Sequence, residues 1–79
     1  MTTTYGWDLG DETVQANTPR EAASTLVHAE LDRRSEINDC FWTVCDLLGD
    51  REKFVAKVAK VVTGGLSPES PIEFTITSA

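Results

Sequence analysis

Val14-Gln15-Ala16-Asn17-Thr18-Pro19-Arg20-Glu21-Ala22-Ala23 is the stretch on which the fold turns. It reads as the end of a strand running into a capped helix. Thr18 is an N-cap residue type, and Glu21 follows at capping-box spacing. Pro19 falls at the first helical position, where its missing N–H costs nothing. Beyond it, Ala22, Ala23, Leu26, Val27 and Leu31 recur at i, i+3, i+4 spacing, so a helix is expected from Pro19 to Arg34. Glu30 sits at the margin of that stripe and forms an i, i+4 pair with Arg34. Glu21, Ser24, Thr25, His28 and Asp32 fall on or near the other side. Arg33 and Arg34 are placed to complement the C-terminal end of the helix dipole.

Upstream, Tyr5, Trp7 and Leu9 alternate, as do Val14 and Ala16. Gly10-Asp11 has glycine first, as a type II′ turn wants. The expected register pairs Leu9 with Glu12, Trp7 with Val14 and Tyr5 with Ala16. All five apolar residues then share one face, so turn and hydrophobic pattern agree.

Downstream, Cys40 to Val62 supports two readings. As a helix, Asp50 caps it and Gly64 stops it, with Phe54, Val55, Val58, Val61 and Val62 in a stripe. As a hairpin, Gly49-Asp50 is the turn and Leu48 pairs with Arg51. Phe41, Cys45 and Leu47 then share a face with Phe54, Ala56 and Val58. On the other face Asp46 lies opposite Lys53, and Trp42 opposite Lys57. The β-branched content favours the hairpin. Gly64 to Pro71 is a loop by composition. Ile72, Phe74 and Ile76 alternate with Glu73, Thr75 and Thr77, which marks a half-buried strand, placed at a sheet edge. The expected fold is α+β: one helix packed on a small, mostly antiparallel sheet, in the order β-hairpin, α, β-hairpin, β-strand. Residues 1–79 make a single small domain, of a size that buries a modest core.

Net charge is −6, unevenly spread. Residues 1–50 carry ten acids and three bases; residues 51–79 carry three acids and four bases. Such a chain is repelled by phosphate backbones and anionic membranes, which argues against nucleic acid as a partner. It is suited to a basic protein surface, including one that normally holds nucleic acid. No apolar run is long enough for a membrane span. Met1-Thr2-Thr3-Thr4 shows no secretory signal, so a cytoplasmic location is expected.

The residues offer little chemistry. His28 and Asp32 have the spacing of a base and its orienting carboxylate, but on the polar helix face, away from any cleft. Cys40 and Cys45 suit neither a mutual disulfide nor a zinc site and read as small apolar groups; a cross-chain disulfide stays open. Asp8, Asp11 and Glu12 lack calcium-loop spacing. Gly64-Gly65 is not followed by the lysine of a phosphate loop. No catalytic, cofactor-binding or metal-ligating set is expected, and the chain is read as a non-enzyme.

Thr13 to Ala23, with the later Phe41-Trp42-Thr43-Val44, resembles small proteins encoded by bacteriophages, including several anti-CRISPR proteins. Those are often acidic, of similar length, and built as a strand, an alanine-rich helix and a short antiparallel sheet. The resemblance covers about half the chain. It implies a phage or mobile-element inhibitor acting in the host cell. Anti-CRISPR families share no common functional residues, so no site carries over.

The expected function is therefore non-enzymatic binding to a host protein complex. Asp8, Asp11, Glu12, Asp32, Glu36 and Asp39 would meet a basic surface, with Trp7 or Trp42 as the anchor. Trp42 is the better anchor, because its expected face also carries Asp46, Lys53 and Lys57. One alternative is a self-associating assembly protein pairing through the Ile72–Thr77 edge as a homodimer. The other is a small nucleic-acid binder using Lys53, Lys57 and Lys60.

Overall fold

The computed structural model describes residues 2–78. β1 (Thr3–Trp7) and β2 (Gly10–Ala16) form a hairpin; α1 (Pro19–Asn38) follows. β3 (Phe41–Asp50) and β4 (Lys53–Val62) form a second hairpin, then come β5 (Gly65–Pro68) and β6 (Ile72–Ser78). The strands join in one antiparallel, curled sheet, ordered β2-β1-β6-β4-β3, with β5 paired to β4 beyond the end of β6. The helix lies across one face of this sheet, resting on β3 at one side and β2 at the other. The α+β expectation holds, and the hairpin reading of Cys40 to Val62 is the correct one.

The Thr18 cap forms as the sequence demands. Thr18 is extended, and its Oγ1 accepts the Glu21 N–H at 3.1 Å. Such a cap contributes on the order of 1 kcal/mol. The reciprocal Glu21 carboxylate accepts the Asn17 N–H at 3.4 Å, one residue earlier than in a standard capping box. Ala22, Ala23, Leu26, Val27 and Leu31 are buried, as the stripe requires. The helix runs past Arg34 to Asn38, because nothing between them breaks it; Asp39 stops it by turning left-handed, at φ 52°. Arg33 and Arg34 thus lie outside the last turn, which has no basic residue, and the dipole reading is corrected.

Both hairpins turn two residues away from where glycine placed them. In the first, the turn is Asp8-Leu9, and Tyr5 pairs with Val14 and Thr3 with Ala16. Asp8 decides this: its N–H reaches the Thr75 carbonyl at 3.3 Å, and its Oδ1 accepts the Thr75 N–H at 2.9 Å. A shift of two preserves the faces, so Tyr5, Trp7, Val14 and Ala16 still point to the core side. Leu9 alone loses its place, and is exposed in the turn.

In the second hairpin the turn is Arg51-Glu52, and Asp50 pairs with Lys53. Gly49 is not a turn residue. At φ 142° it lies opposite Phe54, where a Cβ would stand 2.4 Å from the Lys53 carbonyl and 2.7 Å from the Phe54 Cα. Glycine lets β3 close over a buried phenylalanine. The ladder then slips at Cys45, between Val44 and Asp46. That bulge reverses the faces of the first half of β3: Trp42 and Val44 pack on the core, Phe41 points to the far side, and Cys45 is exposed. Asp46 therefore pairs with Lys57, and Trp42 with Lys60, in place of the expected Lys53 and Lys57.

Two further expectations are corrected. The Gly64–Pro71 loop contains β5, joined to β4 through Thr63-Gly64 with Gly64 at φ 92°. β6 is no edge strand: it lies between β1 and β4, with Phe74 opposite Phe54 and Trp7 opposite Ile76. Phe74 centres the core. Trp7 meets it edge-on at 5.3 Å and Phe54 stacks on it at 6.0 Å between centroids.

Candidate functional site

The helix presents its charges unequally. Its outward face carries Glu21, Thr25, His28, Asp32 and Glu36 at helical spacing, all exposed, and Asp39 closes its end. No arginine joins them. Arg20 donates to the Leu47 carbonyl at 2.7 Å. Arg33 pairs with Glu30 and stands 4.0 Å from Glu12. Arg34 pairs with Glu30 at 3.4 Å and lies 5.6 Å from the Trp42 ring. The three helix cations are held on the flanks by partners within the fold. Asp32 and Glu36 make no ion pair or side-chain hydrogen bond among the described residues, so their charge faces solvent undiminished.

The hairpin acids divide by role. Asp8 is tied to β6 through Thr75. Glu12 accepts the Trp7 indole N–H at 3.2 Å, beside Arg33. Its carboxyl is held below its ordinary range, first by a bond from its own backbone N–H, then by Trp7, with a further contribution from Arg33. Asp11 is exposed at the tip and has no ion pair among the described residues. Of the six acids expected at the docking surface, Asp11, Asp32, Glu36 and Asp39 have exposed, unpaired side chains. Asp8 and Glu12 hold the hairpin in place.

The two tryptophans are not exposed anchors. Trp7 is buried in the core. Trp42 packs under the helix end, where its backbone N–H donates to Ser35 Oγ at 3.2 Å. Arg34 and the Lys60 ammonium, at 5.3 Å, flank its ring. The Cys45 bulge removed it from the charged face and put Phe41 outside instead, at 77% exposure. Nothing in β3's alternation announces a bulge, so sequence pattern alone missed Phe41.

The other candidates disperse. His28 Nδ1 lies 2.7 Å from the Ser24 carbonyl and has no bond to Asp32. Lys53 and Lys57 face away from the helix opposite Asp50 and Asp46, whereas Lys60 points to the helix side, 3.7 Å from Glu69. The lysines therefore form no continuous basic stripe. Asp8, Lys53, Val55, Glu73 and Thr75 border an open groove of about 330 Å³. Among the described residues, no three His, Cys, Asp or Glu side chains are placed to hold a metal ion, and no helix is long and apolar enough to cross a membrane.

Profiles of known protein families, curated proteins and solved structures give no match to this chain.

Proposed function

We propose that this chain is a non-enzymatic binding protein whose acidic helix face docks on a basic, nucleic-acid-binding surface of a host protein complex. It acts there as an inhibitor of the phage or mobile-element, anti-CRISPR-like kind, in the host cytoplasm. The observation that carries this reading is the sorting of charge along α1: Glu21, Asp32, Glu36 and Asp39 point outward while Arg20, Arg33 and Arg34 are held by partners in the fold. Acids at the two ends of one exposed helix face, with Asp32, Glu36 and Asp39 clustered toward its C-terminus and no arginine among them, mimic the spaced charge of a phosphate backbone. They steer the protein to surfaces built for nucleic acid. The anchor is no longer a tryptophan, and affinity rests on charge and helix shape.

The test is affinity capture from host lysate, followed by competition. The captured complex should weaken as salt rises and should be displaced by nucleic acid. Asp32→Lys with Glu36→Lys should abolish it, at no cost to the fold, because neither side chain is engaged within it. Capture indifferent to salt and to that charge reversal would refute the reading.

A further inference from the structure

The sheet face turned away from the helix has an order that the docking reading does not use. Across β3, β4 and β5 the ladder places Phe41, Val61 and Leu66 side by side in one row. They are 77%, 45% and 54% exposed. The next row is Thr43, Ala59 and Pro68. Beyond it come Asp46 opposite Lys57, then Leu48 opposite Val55, then Asp50 opposite Lys53. Three large apolar side chains in register on one sheet face form a contiguous patch of the kind that marks an interaction surface.

We infer that a second copy of this chain covers this face, in a twofold dimer that stacks the two sheets. Two observations select a second copy over a partner of other chemistry. The first is charge. The face carries Lys53 and Lys57 directly opposite Asp50 and Asp46, with Glu73 of β6 beside Val55, so it is within one charge of balance although the whole chain is at −6. A balanced face meets itself without the repulsion that the acidic helix face would impose. Its alternating signs can also pair across a twofold axis, where each contact is made twice. The second is area. Ten residues each of β3 and β4, the four of β5 and the four of β6 that pair with β4, at about 3.3 Å per residue and about 4.8 Å per strand, make a face of roughly 440 Å² in projection. Side-chain relief brings this near the roughly 600 Å² per partner at the lower end of stable interfaces. The axis runs along the strand direction, between β3 and β4, so the Phe41–Val61–Leu66 row meets its counterpart in the other copy and the Asp46–Lys57 row meets its own with the signs exchanged. The helices then lie on the two outer surfaces, and the dimer presents two acidic faces.

Each copy carries a net charge of −6, so repulsion between two copies makes association stronger at high salt, the reverse of the salt effect on docking.

Light scattering on the purified chain and sedimentation over a concentration series test this directly. The expected result is a monomer–dimer equilibrium that shifts toward dimer as salt rises. Phe41→Asp with Leu66→Asp should raise the dissociation constant by at least about 30-fold, the scale of losing a hot spot. Circular dichroism should be unchanged, since both side chains are largely exposed. Asp32→Lys on the outward helix face should leave association intact while it disrupts docking. A strict monomer at about 100 µM, or a dimer indifferent to the Phe41 and Leu66 changes, would overturn the inference. A monomer in which those changes abolish capture of a different protein would assign the face to that partner instead.

Discussion

The two faces of this molecule differ in what they expose and in what they conceal. The outward helix face exposes acids, while the helix arginines are held on its flanks, each bound to a carbonyl, a carboxylate or an indole ring within the fold. The far sheet face exposes a phenylalanine, a valine and a leucine, and balances its lysines against aspartates one strand away. Charge sorting of this kind is not required for stability, since exposed pairs contribute little. It does decide what each face can approach. A basic surface is attracted to the first and gains nothing from the second, whereas an apolar, charge-balanced surface does the reverse.

The layer between the faces should give the largest effect. Phe54 and Phe41 are both phenylalanines of the β3–β4 hairpin, one 2% and the other 77% exposed. Phe54→Ala removes the ring stacked on Phe74 and should cost about 3–5 kcal/mol. For a domain this small that is most of its stability. Phe41→Ala should stay within about 0.5 kcal/mol by the same chemical or thermal denaturation of the monomer. A large loss at Phe41 would mean that the far face is already part of the core, and the contrast between the faces would fail.

A smaller effect is expected where the hairpin closes. Gly49→Ala puts a Cβ against the Lys53 carbonyl and the Phe54 Cα, at a backbone angle that alanine avoids. The cost should be about 1–3 kcal/mol, the usual range for such strain. Hydrogen exchange should show β3 loosening before β1 and β2. If alanine were tolerated, the turn would have moved to Gly49-Asp50 and the Cys45 bulge would be unnecessary. Trp42 would then face the charged side of the sheet.

That alternative is what pattern alone favours, and it shows where sequence stops being legible. Thr18-Pro19 and the Ala22–Leu31 stripe located the helix because capping and burial are local. The strand alternation of Ile72, Phe74 and Ile76 located β6 for the same reason, but not its place between β1 and β4, which depends on partners distant in the chain. Glycine marks a turn in both hairpins by local preference. In each, a tertiary contact overruled it: Asp8 on Thr75 in one, the close passage over Phe54 in the other. In the first the slip was even and the core side survived. In the second the extra residue at Cys45 exchanged Trp42 for Phe41, so the expected anchor was lost while all six expected acids stayed exposed. The acids were legible because charge seeks solvent in any register; the aromatic was not, because its face depends on counting residues correctly.

The smallest expected effect tests the flank where helix and hairpin meet. Glu12 joins the Trp7 indole to Arg33, and its carboxyl lies below its ordinary value of 4.5 in the folded chain. A folded-state value below the unfolded one means that folding favours the charged form. The stabilisation is fully present above the unfolded value and is lost as pH falls through the folded one. Denaturation midpoints of the native chain should therefore decline with acid over that window. Glu12→Gln should remove this part of the decline, because glutamine keeps a hydrogen-bond acceptor for Trp7 but has no proton to gain there. Trp7 fluorescence offers a local reading of the same change, since its indole N–H donates to the titrating carboxylate. Equal acid sensitivity in both chains would show that Glu12 serves only as a neutral acceptor. Arg33 would then be held on the flank by Glu30 alone, and the contrast between the faces would not depend on the hairpin.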